Sequence, residues 1–191
     1  MTLIDGILDI IGRNKELVRI EKGVDAAKKS VEVWFSKREK KGRISKVHDW
    51  SHVHAVAKNA RVIAEELARV KGLNRNETRY IGAMAEATGY FHDISREATE
   101  KTPHGPSGAI AVMMHSLLGS DATKHFTKKE INAISKIVKI HEADIGSLDK
   151  EFEKEKLPED LKIIAKAVVW ADKLFEASGH RVLERRSFFV G

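Results

Sequence analysis

The sequence predicts an all-α fold, a helical bundle carrying a helical extension at its N-terminus. Three observations point there. Apolar residues recur at steps of three and four along most of the 191 residues, no segment alternates with the period of two that marks a half-buried strand, and only three prolines interrupt the pattern. The length suits one domain with a substantial core. We take residues 1–191 as that domain, with its core at about 48–175, leading helices within 1–43 and a helix or tail at 179–191.

Residues 2–11 and about 15–36 read as two leading helices, the second less regular. From Ser51 to Lys71 the apolar positions Val53, Val56, Ala60, Ile63, Leu67 and Val70 define one helix face, and Gly72 is placed to stop it. Asn76 can cap a helix whose inner face carries Ile81, Met84, Ala85, Thr88 and Phe91 and which ends near His92–Asp93. A polar loop around 95–105 contains Pro103 and Gly105. Pro106 suits the first turn of the next helix, which presents Ile110, Met113, Met114 and Leu117. Thr127 and Glu130 form a capping box that opens a helix with Ile131, Ile134, Ile137 and Val138 inward. The charged segment from Ile145 to Lys156 reads as a surface connection. Pro158 then starts a helix with Leu161, Ile164, Ala165, Val168 and Phe175 on one side, and a shorter helix is expected from His180.

Composition limits the chemistry. There is no uninterrupted apolar run of membrane-spanning length. The start, MTLIDGILDIIGRNKELV, carries Asp5 and Asp9 within its apolar stretch and so reads as an amphipathic helix rather than a secretory signal. The chain has no cysteine, which excludes disulfides, thiolate-bound zinc and a cysteine nucleophile; a cytoplasmic location is expected. Any metal must use imidazole, carboxylate and water. The formal charge of +6 favours anionic partners. Much of it lies in KREKKGRISK (37–46), either a solvated helix end and loop or a phosphate-attracting rim. No aromatics are interleaved there, which argues against a nucleic-acid surface. The helices at 2–36 could pack on the core or on a second subunit, which leaves a homodimer open.

Four potential metal donors fall on inward helix faces. His52 is four residues before Val56, His92 four after Thr88, His141 three after Val138, and Asp172 four after Val168. His54 aligns instead with Lys58, Arg61 and Glu65, so it is expected on the wet face. A lone inward histidine is commonly a hydrogen-bonded core residue. A buried aspartate among the large apolar groups of VVWADKLF, however, needs a cation, a hydrogen-bond cluster or a raised pKa. One cation could satisfy all four groups together. The imidazole and carboxylate mixture leans towards manganese, iron, cobalt, nickel or zinc, while magnesium favours more oxygen-rich sites.

The segment HDWSH (48–52), the helix HVHAVAKNARVIAEE behind it, FHD at 91–93 and WADKL at 170–174 resemble the HD-domain superfamily of metal-dependent phosphohydrolases. The resemblance spans roughly residues 48–175. It implies a helical bundle that holds a metal through His52, His92, Asp93 and Asp172. THGPSGAIAV (102–111) and IVKIHE (137–142) are similar to the extra histidine segments of two-metal HD proteins, particularly those splitting dinucleoside polyphosphates symmetrically. That similarity implies His104 and His141 as ligands of a second metal. The chain departs from those proteins in a short stretch between His-Asp and His104, and in HE where HT is usual. His104 also reads as a loop residue or phosphate contact, with His115 in reserve.

The implied activity is hydrolysis of a phosphate ester or anhydride, expected of a nucleotide, by water activated at one or two divalent metals. Asp93 could bridge the two. His48 could donate a proton, bind substrate or serve the helix entry. Arg96 and Lys101 could bind substrate phosphate. Glu142 and Glu97 could orient ligand histidines or lie in solvent, and Lys173 should point about 100 degrees away from Asp172. Two other readings remain open from the residues: a di-iron oxygenase using the same ligands, and a helical nucleotide-binding module without catalysis.

Overall fold

Every element of the computed structural model is helical, and the model describes residues 3–44, 48–97 and 103–175. Among these, seven α-helices follow in order: α1 (Leu3–Glu39), α2 (Trp50–Val70), α3 (Arg75–Phe91), α4 (Gly105–Leu117), α5 (Lys128–Ile140), α6 (Leu148–Lys154) and α7 (Glu159–Trp170). A 3₁₀ turn at Ile145–Ser147 precedes α6, and a π turn at Ala171–Phe175 follows α7. The helix expected from His180 lies outside the described residues. No described helix is long and apolar enough to cross a membrane.

Helix α3 is the axle of the bundle. It packs against α1, α2, α5 and α7, and every residue from Ile81 to Ile94 is buried. Close approach to α2 depends on small side chains. A Cβ on Gly89 would lie 2.6 Å from the Cα of Ala57, so even alanine there would force the helices apart. The buried stripe of α2 is correspondingly Val53, Val56, Ala57, Ala60, Ala64 and Ala68, with Val70 left 83% exposed. The expected face was thus displaced towards the alanines, because packing distance rather than side-chain size decides which stripe faces α3.

The same effect corrects α4. Its buried residues are Gly105, Gly108, Ala109 and Val112, while Ile110, Met114 and Leu117 point to solvent. A Cβ on Gly108 would sit 2.9 Å from Val138 of α5. A helix this apolar on all sides offers no polar face to orient it, and only the glycines mark the side that docks.

Other boundaries also shift. The two leading helices are one, α1, 37 residues long. No proline separates the expected halves, and an isolated glycine costs a helix only about 1 kcal/mol. Its inner stripe, Leu17, Ile20, Val24, Ala27, Val31 and Phe35, is buried. Asn74, not Asn76, caps α3: its side chain accepts from the amides of Asn76 and Glu77, and Glu77 returns a bond to the Asn74 amide. The presumed surface connection at 145–156 contains α6, which buries Leu148 and Phe152. The Thr127–Glu130 capping box is present as expected.

Glu130 does more than cap α5. It is 4% exposed, receives two bonds from Arg19 of α1 at 2.6 and 2.8 Å, and a third from the Tyr80 hydroxyl at 2.7 Å. Burial alone would raise its pKa, but Arg19, Thr127 and Tyr80 together hold it below the ordinary value of 4.5. A folded pKa below the unfolded one means that the unfolded chain binds more protons in acid. The stabilisation is therefore full above about pH 4.5 and is lost as pH falls through the lower folded value. Glu130→Gln should cost about 1.5–3 kcal/mol at pH 7. In urea unfolding, the gap between wild type and variant should narrow below pH 4.5; a gap constant from pH 7 to pH 3 would contradict this.

Candidate metal centre

Helix ends deliver the donors. His52 lies in the first turn of α2, whose cap Asp49 accepts from the His52 amide at 3.0 Å. His92 and Asp93 directly follow α3, His104 immediately precedes α4, and His141 directly follows α5. Asp172 sits in the π turn after α7, where wider winding changes the direction of a side chain relative to the preceding α-helix. The bundle thus brings one end of each of five helices to a common point.

Asp93 occupies that point and is 1% exposed. Its Oδ1 lies 2.6 Å from Nε2 of His104 and 3.6 Å from Nε2 of His141. Its Oδ2 lies 3.3 Å from Nδ1 of His48, 3.5 Å from Nε2 of His92 and 3.7 Å from Nε2 of His52. On the far side of that second set, Asp172 Oδ1 is 3.3 Å from His52 Nε2 and 3.9 Å from His92 Nε2. Three groups have donor atoms close enough to hold a metal ion: His48, His52 and Asp93; His52, His92 and Asp172; and Asp93, His104 and His141. All six metal positions expected from the sequence therefore converge, and His48 joins them.

Hydrogen-bond accounting shows what the cluster needs. Nδ1 of His92 lies 2.7 Å from the carbonyl of Gly89, and Nδ1 of His141 lies 2.6 Å from that of Val138. A carbonyl only accepts, so both Nδ1 atoms carry protons, and in the neutral ring each Nε2 is a lone pair. Nδ1 of His104 meets the Glu142 carboxylate at 2.9 Å, with the same result. Yet the Nε2 atoms of His92 and His52 are 3.3 Å apart, those of His141 and His104 are 3.1 Å apart, and His104 Nε2 faces a carboxylate oxygen. Lone pairs converging on one another require protons or a cation between them. Asp93 Oδ2 and His48 Nδ1 are buried without a hydrogen-bond partner, which also fits a missing positive charge. These residues accordingly fit a divalent ion held by imidazole nitrogen and carboxylate oxygen.

Burial and the crowding of these groups also displace their protonation. Burial pushes His92 down to about 4 and lowers His48 against the pull of Asp93. Burial would raise Asp93, but the surrounding imidazoles of His92, His104, His141 and His48 hold it well below the ordinary carboxylate range. Asp172 is likewise pushed up by burial, and His52 and His92 together hold it below the ordinary carboxylate value. Burial alone would lower His141, but the carboxylates of Asp93 and Asp172 and the Val138 carbonyl together raise it.

Around this centre, Arg96 Nη1 is 3.6 Å from Asp93 Oδ1 and 3.3 Å from His104 Nε2. Glu142 lies against His104, its Oε1 2.9 Å from Nδ1, whereas Glu97 pairs with Arg38 and Arg43 at the end of α1. Lys173 points away from Asp172, donating to the carbonyls of Glu142 and Ala143 at 2.7 Å each. Lys101 lies outside the described residues. His115 is half-buried against Ser120 and belongs to none of the donor groups. His54 is a correction: it is half-buried, lies beside the stacked rings of Trp50 and Tyr90, and is 3.2 Å from the Tyr90 hydroxyl. Arg61 of the charged stripe it shares is partly covered, since it pairs with Glu21 of α1 and with Glu86 of α3, while Lys58 stays exposed.

Comparison with protein-family models, curated proteins and solved structures finds no match to this chain. What stands is a cluster of His and Asp residues able to hold a metal, as in HD-type sites.

Addition of manganese or cobalt to chelator-stripped protein should raise the melting temperature. At a free concentration near a hundredfold the dissociation constant the gain is about 2.7 kcal/mol, a shift of roughly 5–10 °C. Asp93→Asn should abolish the shift. An equal shift in wild type and variant would place the ion elsewhere.

Proposed function

We propose that this chain is an HD-type metal-dependent phosphohydrolase that cleaves a phosphate ester or anhydride, with a nucleotide as the favoured substrate. One observation carries the reading: the two oxygens of Asp93 face two different donor sets. Oδ1 faces His104 and His141, while Oδ2 faces His48, His52 and His92, with Asp172 beyond. A carboxylate so placed suits a bridge between two cations.

When bound, such cations would supply Lewis-acid charge and acidify a water at neutral pH. The protein's part is to hold the donors and to receive the substrate. His52, His92, His104 and His141 are each at most 3% exposed, so they are rigidly packed donors. The side chains of His48, Arg96 and Asp172 are 19–33% exposed, and these three residues line the approach. Arg96 presents a guanidinium beside Asp93, where it can bind a phosphoryl group by donating paired hydrogen bonds to its oxygens. Arg38 and Arg43 meet at Glu97, directly after Arg96 in sequence. Three guanidinium groups against the two carboxylates of Glu97 and Asp93 leave this rim positively charged, which favours a phosphate-bearing ligand. His48, buried against Asp93 Oδ2 yet partly open, is placed to exchange a proton with the reacting water or leaving group.

The test is release of inorganic phosphate from mononucleotides and dinucleoside polyphosphates with manganese, cobalt or magnesium. His92→Ala should lower kcat/KM by at least about a hundredfold, as expected for loss of a metal-holding group. Arg96→Ala should raise KM roughly tenfold, about 1.4 kcal/mol of phosphate binding, with a smaller change in kcat. Equal background turnover by wild type and His92→Ala across the panel would end the proposal.

A further inference from the structure

We infer that Glu142 is a positioning residue for His104, and that Lys173 fixes Glu142 in place, so that the second cation site is assembled by the segment beside the first. This rests on the reading of the cluster as a two-cation centre.

His104 differs from the other donors in how it must be held. His92 and His141 each donate Nδ1–H to a carbonyl three residues back in their own helix. His104 stands before α4 begins, and its Nδ1 is met from elsewhere in the chain. Glu142 supplies the acceptor from another element. Its Oε1 lies 2.9 Å from His104 Nδ1 and its Oε2 accepts from the Gly105 amide at 2.7 Å. One carboxylate thus fixes the imidazole and the first amide of α4, a helix whose preceding residue makes no side-chain cap. Negative charge at a helix N-terminus is favourable in addition.

The consequence is a defined tautomer. With Nδ1–H committed to Glu142, Nε2 of His104 is left as a lone pair aimed at Asp93 Oδ1 and His141 Nε2. Glu142 itself sits behind the ring, on the side away from the cluster, and therefore orients a donor instead of joining the donor set. An anionic acceptor also makes the imidazole a stronger base and a better metal donor.

Lys173 completes the arrangement. Its ammonium donates to the carbonyls of Glu142 and Ala143, at the end of α5, where a cation is favoured by the helix dipole. It is covalently next to Asp172, which serves the His52–His92 end. The π turn therefore places a donor for one site and a strap for the other on consecutive residues.

The experiment titrates the full-length apoprotein with cobalt(II) by calorimetry, with His104→Ala marking the second event. Wild type should take two ions. Glu142→Gln should keep the first affinity and weaken the second about 10–100-fold, and Lys173→Met should weaken the same event to a smaller degree. In ¹⁵N-resolved imidazole spectra of the apoprotein, His104 should be Nδ1-protonated in wild type and a tautomer mixture in Glu142→Gln, with His92 and His141 unchanged. Two ions in wild type, with Glu142→Gln indistinguishable or with both events weakened equally, would overturn the inference alone. A single ion in wild type, or two ions retained by His104→Ala, would overturn the two-cation reading and the inference with it.

Discussion

The fold is organised around a carboxylate that water barely reaches. Asp93 is surrounded by five imidazoles within 3.7 Å of its oxygens, in a bundle whose central helix is otherwise enclosed. An isolated buried charge costs several kcal/mol even after the protein relaxes. Here the cost is offset only if positive charge sits between the carboxylate and the rings. That demand explains why seven polar side chains from the ends of five helices meet where a core of this size would ordinarily place leucine and isoleucine.

The packing serves this demand. Gly89 lets α3 approach α2 closely enough for His52 to meet His92, and its carbonyl sets the His92 tautomer. Gly105 and Gly108 seat α4 on α5, where a Cβ would run into the Lys139 carbonyl or the Val138 side chain, and bring His104 against His141. Remote from the centre, Arg19, Tyr80 and Glu130 tie α1 to α3 and α5, and Arg61, Glu21 and Glu86 tie α1 to α2 and α3. Small residues set distances near the site, while ion pairs lock the outer helices.

The donors were readable in the sequence because each stands in step with a buried stripe: His52 with Val56, His92 with Thr88, His141 with Val138. The resemblance in HDWSH, FHD and WADKL added Asp93 and, more narrowly, His104, which no periodicity could place because it precedes its helix. The rotation of α2 and α4 was not readable. Hydrophobicity favours Val70, Ile110, Met114 and Leu117, whereas the actual contacts depend on alanines and glycines whose value appears only when two backbones meet. Glu142 was ambiguous for a related reason: its partners, His104 and Gly105, are about 37 residues away. The proximity of Arg38 and Arg43 to Glu97 was hidden in the same manner, since nothing local in 37–46 shows what it faces.

The most direct measurement is an anomalous difference map from crystals grown with manganese or cobalt, recorded at the metal edge. The account predicts one peak among His52, His92, Asp93 and Asp172 and a second among Asp93, His104 and His141, with Asp93 touching both. A map with no peak at Asp93 under saturating metal, and imidazoles held together by protons alone, would contradict it.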